Sequence, residues 1–565
     1  MRSLPRVLLL LAAGGLCLWL PSVLAAHAGS KPENRAGVFY QSAVSKNVKK
    51  NVKKPAVKAV KKDASNGWPQ AAGPNGSWSE SGHDGPIQWS VTRGQNIVWK
   101  TTLPEEGQSG IAVWGNRLFL TTMKPLESAN SSKEGHDVVG YCLDAQTGKI
   151  LWTVDLPGSE NSTYAYGFSD STTPSPLTDG KNVWFFNASG AVGCWDFDGK
   201  SVWQRSWKPT SGVHPFNKQF EPMLVGDTLV NMEPRDEDDP KREPKDPWNY
   251  LRGLDKRTGK TLWVSEDALT HYNTPVMGTL ADGSPAVLQG RGGYHDVPET
   301  PIGLTLTSLA SGKEGKALWR YDGQGKALYT MHWDKQYAYW FDIDHSTHEV
   351  LDSATGKKLK TQSLMDKVDY RHYDTAAGKY VIDADIDLGK LQPPVKVFPA
   401  WFCNIPVAGY HYFLCFSDAA SKSGPMHCIG RVNLRTDKVE YLEMPVQVVR
   451  EAGAPDKFVW GKEQPSSTVN SRGIDVAGDG RSRRDGWWWC MLGSPTAING
   501  KVYITTMLGI TYVLDGKAKT FDEKALLAVN DLGPAGQTWS LNSISYANGH
   551  LYHRSLKEIV CIGKK

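Results

Sequence analysis

The sequence lacks most of the short motifs that mark an enzyme. It has no G-x-S-x-G nucleophile elbow, no H-E-x-x-H zinc motif and no phosphate-binding Walker loop. Its eight cysteines form no C-x-x-C, no C-x-x-C-H haem motif and no adjacent cysteine pair. These absences exclude the usual signatures of serine hydrolases, zinc proteases, nucleotide hydrolases and c-type cytochromes. No catalytic residue can be assigned.

No stretch predicts a sustained amphipathic helix, and the only long apolar run is at the N-terminus. Arg2 and Arg6 flank its start, residues 7–20 form an apolar core, and Ala26-His27-Ala28 has the form of a cleavage site. Residues 1–28 are therefore predicted to be a signal peptide of a secreted or periplasmic protein. The alternative is an uncleaved membrane anchor, because residues 7–26 are almost long enough to span a bilayer.

Residues 29–66 are too polar to build a core. Lys46 to Lys62 contains eight lysines and no acid, and removing these 8 charges from the net charge of +5 leaves −3 for the rest of the chain. Such a block predicts a disordered tail. It is either a solvated spacer or a contact to an anionic surface such as lipid, an envelope protein or an envelope polymer. Export makes nucleic acid the least favoured partner.

A repeated turn organises the remaining residues, 67–565. In residues 141–156 (YCLDAQTGKILWTVDL), Asp144 and Gly148 bracket a hairpin turn and Trp152 follows eight positions after Asp144. Copies follow at residues 196–203, 254–263, 311–319, 352–360 and 433–441, and Trp203, Trp263 and Trp319 occupy the same place. Each copy follows a second strand pair, so the unit has four strands, which is typical of a β-propeller blade.

The units predict an all-β protein with a single β-propeller of eight four-stranded blades. The last unit has only three strands, so residues 96–103 (NIVWKTTL) are predicted to supply the fourth and close the ring. Because the interval 365–402 could hide a degenerate blade, seven or nine blades remain as alternatives. The eight units span residues 110–156, 171–207, 221–267, 273–322, 330–364, 403–445, 493–533 and 543–563.

The D-x-x-T-G-x-x-x-W pattern after a Gly-containing strand pair resembles the quinoprotein-type, or PQQ-like, repeat. Residues 68–77 (WPQAAGPNGS) resemble a segment found in a secreted subgroup of that family, with the form WPQ-x-x-GP. The resemblance implies that Trp152, Trp203, Trp263 and Trp319 dock each blade onto the next. Enzymes of the wider family that the repeat resembles hold pyrroloquinoline quinone (PQQ) and calcium at the propeller axis, often above two adjacent cysteines. This chain lacks such adjacent cysteines.

Two insertions contain candidate sites. Asp383, Asp385 and Asp387 have the spacing of a calcium loop, but Pro394 stands where an EF-hand has its closing Glu, so they are weak metal candidates. Trp487, Trp488 and Trp489 cannot all face one side of a strand. Together with Arg481, Arg483 and Arg484 they form either a ligand surface or a buried cluster at a blade edge.

Histidines and cysteines give weaker expectations. His345 and His348 have a metal-ligand spacing for a helix, but on a strand they point to opposite faces. Cys403, Cys415 and Cys428 lie close in sequence, and a disulfide between two of them is expected if the protein is exported.

Three functions are compatible with these patterns. The leading hypothesis is a non-enzymatic binding or assembly scaffold in the cell envelope, similar to the PQQ-like propeller of the outer-membrane β-barrel assembly machinery, with no cofactor assigned. The first alternative is a PQQ- and calcium-dependent alcohol or sugar dehydrogenase with a divergent site. The second alternative is a carbohydrate-binding propeller. An enzyme needs at least two carboxylates and an aromatic floor at the axis, whereas a scaffold does not.

Overall fold

The eight predicted units form the blades of an all-β propeller in the computed structural model of the protein. The described residues are 67–564, without 126–136, 160–164, 167–168, 210–220, 243–247, 270–272, 293–300, 324–329, 393, 418–426, 462–467, 470–472, 474, 476–486 and 488–492. The predicted signal peptide and the lysine-rich tail lie outside this range. No helix among the described residues is long and apolar enough to cross a membrane.

Blades 1 to 4 are antiparallel sheets whose strands follow one another from the axis outwards. Blade 1 comprises Ala112–Trp114, Arg117–Met123, Val138–Asp144 and Ile150–Leu156. Blade 2 comprises Leu177–Thr178, Asn182–Asn187, Ala191–Asp196 and Ser201–Ser206. Blade 3 comprises Met223–Val225, Thr228–Glu233, Asn249–Asp255 and Thr261–Leu269. Blade 4 comprises Val276–Thr279, Pro285–Arg291, Gly303–Ser308 and Ala317–Asp322.

The second half of the ring is less regular. Blade 5 comprises Tyr337–Asp342, Thr347–Asp352 and Lys358–Ser363, with a single bridge from Trp333 to Ala338 at its inner edge. Blade 6 comprises Val397–Val407, Tyr410–Ser417, Cys428–Asn433 and Val439–Glu443. Blade 7 comprises Thr496–Ile498, Lys501–Thr505, Ile510–Asp515 and Leu526–Asp531. Blade 8 comprises Ser545–Ala547, His550–Arg554, Glu558–Ile562 and, from the N-terminal side, Ile97–Thr102.

Strand Ile97–Thr102 pairs antiparallel with Glu558–Ile562, so residues near both ends of the described chain share one sheet. Gly67–Trp68 adds to the inner edge of blade 1, and Ser79–Glu80 adds to the inner edge of blade 7. Small ribbons are formed by Ala165–Tyr166 with Ser169–Asp170 and by Gln447–Val449 with Lys457–Val459. Two short 3₁₀ turns occur at Leu388–Lys390 and Glu523–Ala525.

The interval 365–402 does not form a ninth blade. It contains a hairpin, Val368–Asp374 and Lys379–Ile386, whose first strand pairs in parallel with the outermost strand of blade 6. The same interval also supplies the start of the inner strand of blade 6, which begins at Val397 rather than at 403. Because its first strand pairs with blade 6, the hairpin extends an existing sheet instead of building a new one.

Burial follows the position of a strand in its blade. The second and third strands are buried on both faces, as in Arg117–Met123, because neighbouring blades cover both sides. The outermost strands alternate, as in Ile150–Leu156, where Trp152 and Val154 face the next blade and Thr153 and Asp155 face solvent. Most of the apolar core therefore lies between blades.

Candidate functional site

The repeated turn forms the contact between neighbouring blades. In blade 1, one carboxylate oxygen of Asp144 accepts hydrogen bonds from the backbone N–H groups of Gln146 and Thr147, and Gly148 has φ +72°. The backbone carbonyl directly after each turn Asp accepts a hydrogen bond from an indole N–H of the preceding blade. These bonds run from Trp152 to Phe197, from Trp203 to Lys256 and from Trp319 to Ser353, at 2.8–3.0 Å.

Trp99, on the strand beside the C-terminus, makes the same bond to Ala145 at 3.0 Å. Trp99 could not be predicted as a docking residue because no D-x-x-T-G turn precedes it in the chain. Trp263 lies against blade 4 instead, where a Cβ on Gly315 would approach its ring to 3.0 Å. Each turn glycine thus provides the flat surface on which the preceding Trp ring lies.

Gly148→Ala is therefore expected to destabilise the protein by about 2–3 kcal/mol, from the positive φ and from displacement of a ring. A Cβ there would lie 2.4 Å from the Trp99 ring. Gly115→Ala is the matched control, because Gly115 has φ +55° but no atom within 4 Å of the added Cβ. Urea unfolding should show the smaller loss for Gly115→Ala. Equal losses would mean that ring packing on Gly148 contributes nothing.

The inner strands of the blades begin around a cavity on the axis. Polar residues that precede or begin these strands line it, including Gln108, Glu221, Thr274, Ser494 and Asn542. Its other walls include Phe402 from blade 6 and two residues from the N-terminal side of the ring, Ala71 and Trp78. The described residues leave about 20 Å³ of space, which is room for about one water molecule.

A segment that we call the strap, residues 67–84, fills the axis. Its start is held by its own side chains: the Trp68 indole N–H donates to the Ala71 carbonyl, and the Gln70 amide donates to the Gly73 carbonyl. Gly73 has φ +71°, and a Cβ there would lie 2.8 Å from the Trp68 ring. These contacts explain why Trp, Gln and Gly occur together in WPQAAGP.

The strap then contacts one inner strand after another. Trp68 pairs with blade 1, the Pro69 carbonyl accepts from blade 2, and the Gln70 side-chain oxygen accepts from blade 3. Trp78 is 2% exposed, packs against blade 5 and accepts a backbone hydrogen bond from blade 7. Asp84 forms an ion pair of 2.6 Å with Lys501 of blade 7, and its carbonyl accepts from Tyr546 of blade 8.

Beside the axis, blade 8 buries a guanidinium. Arg554 donates to the carbonyls of Thr121 and Leu556 at 2.9 and 3.0 Å. Burial lowers the pKa of Arg554 to about 10, and the charges of Asp170 and Glu106 act in the opposite direction. A buried cation bonded to backbone carbonyls of blades 1 and 8 links the first and last blades of the chain.

Comparison with known proteins identifies the repeat. A family model described as outer membrane protein assembly factor BamB matches residues 83–362. The chain belongs to the PQQ-like β-propeller family. No curated protein matches the chain in sequence.

A solved structure shares the fold of this PQQ-like propeller. Quinohemoprotein alcohol dehydrogenase from Comamonas testosteroni is 12% identical, with 88% of this chain and 81% of that chain covered and a TM-score of 0.51. BamB from Moraxella catarrhalis is also 12% identical, with 83% and 97% covered and a TM-score of 0.40. At 12% identity the likeness to the dehydrogenase concerns the fold alone.

The described residues at the axis of this PQQ-like propeller do not fit the family's cofactor. Sites for small organic molecules occupy about 300–1,000 Å³, whereas the described residues leave about 20 Å³ here. Trp78 and Phe402 supply aromatic walls, but Glu221 is the one carboxylate among the described residues that line the cavity, and it accepts a backbone hydrogen bond from Ser175. The described residues therefore hold neither the space nor the carboxylate pair that a quinone with calcium needs.

The three candidate metal ligands in the blade 6 hairpin are separated by other partners. Asp383 contacts His372 at 3.2 Å, Asp385 forms an ion pair with Lys438 at 2.6 Å, and Asp387 contacts Lys390. The hydrogen bond from Lys438 lowers the pKa of Asp385. Across the described part of the chain, no group of three or more acidic, histidine or cysteine side chains could hold a metal ion.

Trp487 does not lie on an exposed ligand surface. It is 1% exposed and its ring packs edge-on against His427, with ring centroids 5.2 Å apart, and near Tyr512. This burial removes Trp487 from the predicted ligand surface and places it in the core between blades 6 and 7. Trp488, Trp489, Arg481, Arg483 and Arg484 lie outside the described residues.

The expected disulfide is absent. All six described cysteines are buried and free, including Cys403, Cys415 and Cys428. Cys415 and Cys428 lie opposite each other on neighbouring strands, but the Cys415 thiol donates to the Cys428 carbonyl at 3.5 Å. Burial raises the pKa of both thiols, which keeps them protonated.

Three buried histidines form a chain between blades 5 and 6. His348 hydrogen-bonds His411 at 2.9 Å, and His411 hydrogen-bonds the Asn404 side chain at 2.9 Å. His332 hydrogen-bonds the Asn404 carbonyl at 2.9 Å. His348 lies on the strand Thr347–Asp352 and is fully buried, whereas His345 lies in the preceding turn and its side chain is 56% exposed, so the two do not face one another across a strand.

Proposed function

We propose that this PQQ-like propeller is an exported, non-enzymatic binding or assembly scaffold of the cell envelope. The observation that carries the proposal is the strap, which fills the axis with Ala71 and Trp78 and leaves room for about one water among the described residues. Enzymes of the resembling family use this place for their cofactor. A propeller that closes its axis presents its outer surface instead.

Export is the second part of the proposal. It rests on the predicted signal peptide and the lysine-rich tail, both outside the described residues. The matching family description, an outer membrane protein assembly factor, supports an envelope location without naming a partner for this chain. A partner is proposed to be an envelope protein or polymer, with the tail as an electrostatic contact to anionic surfaces.

A titration of the purified mature protein with PQQ and Ca²⁺ tests the scaffold role. We expect the melting temperature and the absorbance of the quinone to stay unchanged, because the described residues leave only about 20 Å³ at the axis. A ligand at 100 times its Kd would add about 2.7 kcal/mol of stability. A saturable shift would overturn the proposal and favour a quinone-dependent dehydrogenase. A control dehydrogenase of the same fold, freed of its cofactor, should show the shift.

A further inference from the structure

The hairpin added to blade 6 ends in a strand with an open outer side. This strand, Lys379–Ile386, is the last of a six-stranded sheet, and no described strand pairs with its outer side. We call it the edge strand. Since neighbouring strands lie about 4.8 Å apart, the two strands of the hairpin extend the sheet about 10 Å beyond the outermost strand of blade 6. The edge strand therefore lies outside the ring of blades, where another protein chain can reach it.

The turn of this hairpin holds the edge strand in an extended form. The Asp374 side chain accepts hydrogen bonds from the backbone N–H groups of Ala376 and Ala377 at 2.9 and 3.0 Å, and Gly378 has φ +65°. Residues 379–383 then pair regularly with residues 370–374. The strand is therefore formed before any partner arrives, which lowers the entropic cost of binding.

A bulge limits the part of the edge strand that can pair with a new strand. The register with the first hairpin strand shifts between Val368 and Tyr370, and Asp385 has φ +52°. The backbone N–H of Asp385 donates to the Asp369 side chain at 3.1 Å. Alternate residues of an open edge direct their N–H and C=O groups outwards. A new strand can therefore pair regularly only with residues 379–383.

Residues 379–383 are apolar in the centre and oppositely charged at the two ends. Ile382 is 48% exposed, and Tyr380 and Val381 are partly exposed. Lys379 is exposed at one end, and the Asp383 side chain is 54% exposed at the other. The sequence Lys-Tyr-Val-Ile-Asp thus places opposite charges at equal distances from its central valine.

This sequence is complementary to an antiparallel copy of itself. When two edge strands pair about Val381, each Lys379 lies opposite Asp383 of the other copy and each Tyr380 lies opposite Ile382. Directly opposite side chains share one face, with Cβ atoms about 5 Å apart, so both pairs are in contact. Pairing about Ile382 would instead place Val381 opposite Asp383, and parallel pairing would place like charges side by side. Charges on an edge strand usually oppose pairing, but here they favour the antiparallel arrangement about Val381.

We propose that the edge strand binds the edge strand of a second copy of this chain, which joins two six-stranded sheets into one across a two-fold axis. Such an interface is self-complementary, as in most symmetric dimers. It involves few residues, so the dimer is weak and its population depends on protein concentration. The proposal goes beyond the scaffold role and does not depend on it, because dimerisation and cofactor binding are measured separately.

Sedimentation of the mature full chain from about 1 to about 100 µM, in about 0.15 M salt, tests the proposal. We expect the unsubstituted chain to pass from monomer to dimer in this range. Lys379→Glu and Asp383→Lys should each weaken the dimer at least about tenfold, because two attractive pairs become repulsive. An equimolar mixture of these two variants should dimerise within about threefold of the unsubstituted chain, because opposite charges then meet again across the strands.

Lys149→Glu is the matched control, because Lys149 is also exposed and also directly follows a turn glycine, on blade 1. It should dimerise within about twofold of the unsubstituted chain. Three outcomes would overturn the proposal: an unsubstituted chain that stays monomeric throughout, a loss in Lys149→Glu equal to that in Lys379→Glu, or a mixture of the two variants that stays monomeric. Mixing also separates lost pairing from misfolding, since two misfolded chains would not recover a dimer when combined.

Discussion

Lowering the pH from 8 to 5 is expected to remove about 2 kcal/mol of stability for each of five buried histidines. Burial lowers the pKa of His332 and His427 to about 4 and that of His348 and His553 to about 3. The pKa of His411 is also well below its usual value, first because of burial and then because of the neighbouring His348 and His332.

Stability falls with decreasing pH because the unfolded state binds protons at a higher pH than the folded state does. In the unfolded chain these histidines take up protons near pH 6.5, whereas in the folded chain they stay neutral to about pH 4 or below. The contribution of these histidines to the free energy of unfolding is therefore complete above pH 6.5. It falls as the pH drops towards their pKa values in the folded state. The sum of about 10 kcal/mol is comparable to the whole stability of a typical protein, so we expect acid unfolding between pH 6 and 4.

Urea unfolding at pH 8, 6.5 and 5 measures this loss. His553→Gln should reduce the slope of the free energy of unfolding against pH by the equivalent of about one bound proton, because Gln cannot titrate. His83→Gln, at an exposed position, is the control and should leave the slope unchanged. A stability that stays constant from pH 8 to 5 would contradict the prediction.

Trp78→Ala is expected to cost about 3–5 kcal/mol, the usual loss for a fully buried Trp. Trp78 lines the axial cavity and its ring packs edge-on against His332, with ring centroids 6.1 Å apart, so its removal opens a space next to that cavity. Such a space can bind a small aromatic molecule. Indole is therefore expected to restore part of the melting temperature of Trp78→Ala in a saturable way.

Trp203→Ala is the matched control for the indole rescue. Trp203 is only partly buried and lies on an outermost strand, so its removal leaves a groove open to solvent rather than an enclosed space. It should lose less stability and should not respond to indole. If Trp78→Ala is no less stable than Trp203→Ala, the strap contributes little to the ring.

The extent to which the sequence predicts this structure depends on the range of each contact. The blades could be predicted because the turn at Asp144 and Gly148 is held by neighbours within four residues, and copies of it recur along the chain. The hairpin of residues 368–386 could not, since its turn resembles any other turn and only its pairing with blade 6 distinguishes it from a blade.

The residues at the axis could not be predicted from the sequence for the same reason. Trp78 has no local pattern that distinguishes it from a docking Trp, and the residues that it contacts in the ring, His332 and Ala497, are more than 200 residues away. Cys415 and Cys428 do lie opposite each other, as their closeness in sequence allowed, but proximity in a sheet does not decide whether a disulfide forms.

The pairing of Ile97–Thr102 with Glu558–Ile562 has a consequence for synthesis and folding. Lys100 and Glu558, which contact each other at 2.9 Å, are 458 residues apart in the chain. Closing such a loop costs about 3 kcal/mol more entropy than closing a ten-residue hairpin. The early segment IVWKTT, rich in strand-forming residues, must therefore wait for its partner until the chain is nearly complete, and during that interval it is an open template for aggregation. A chain shortened by even its last blade would keep that template permanently uncovered.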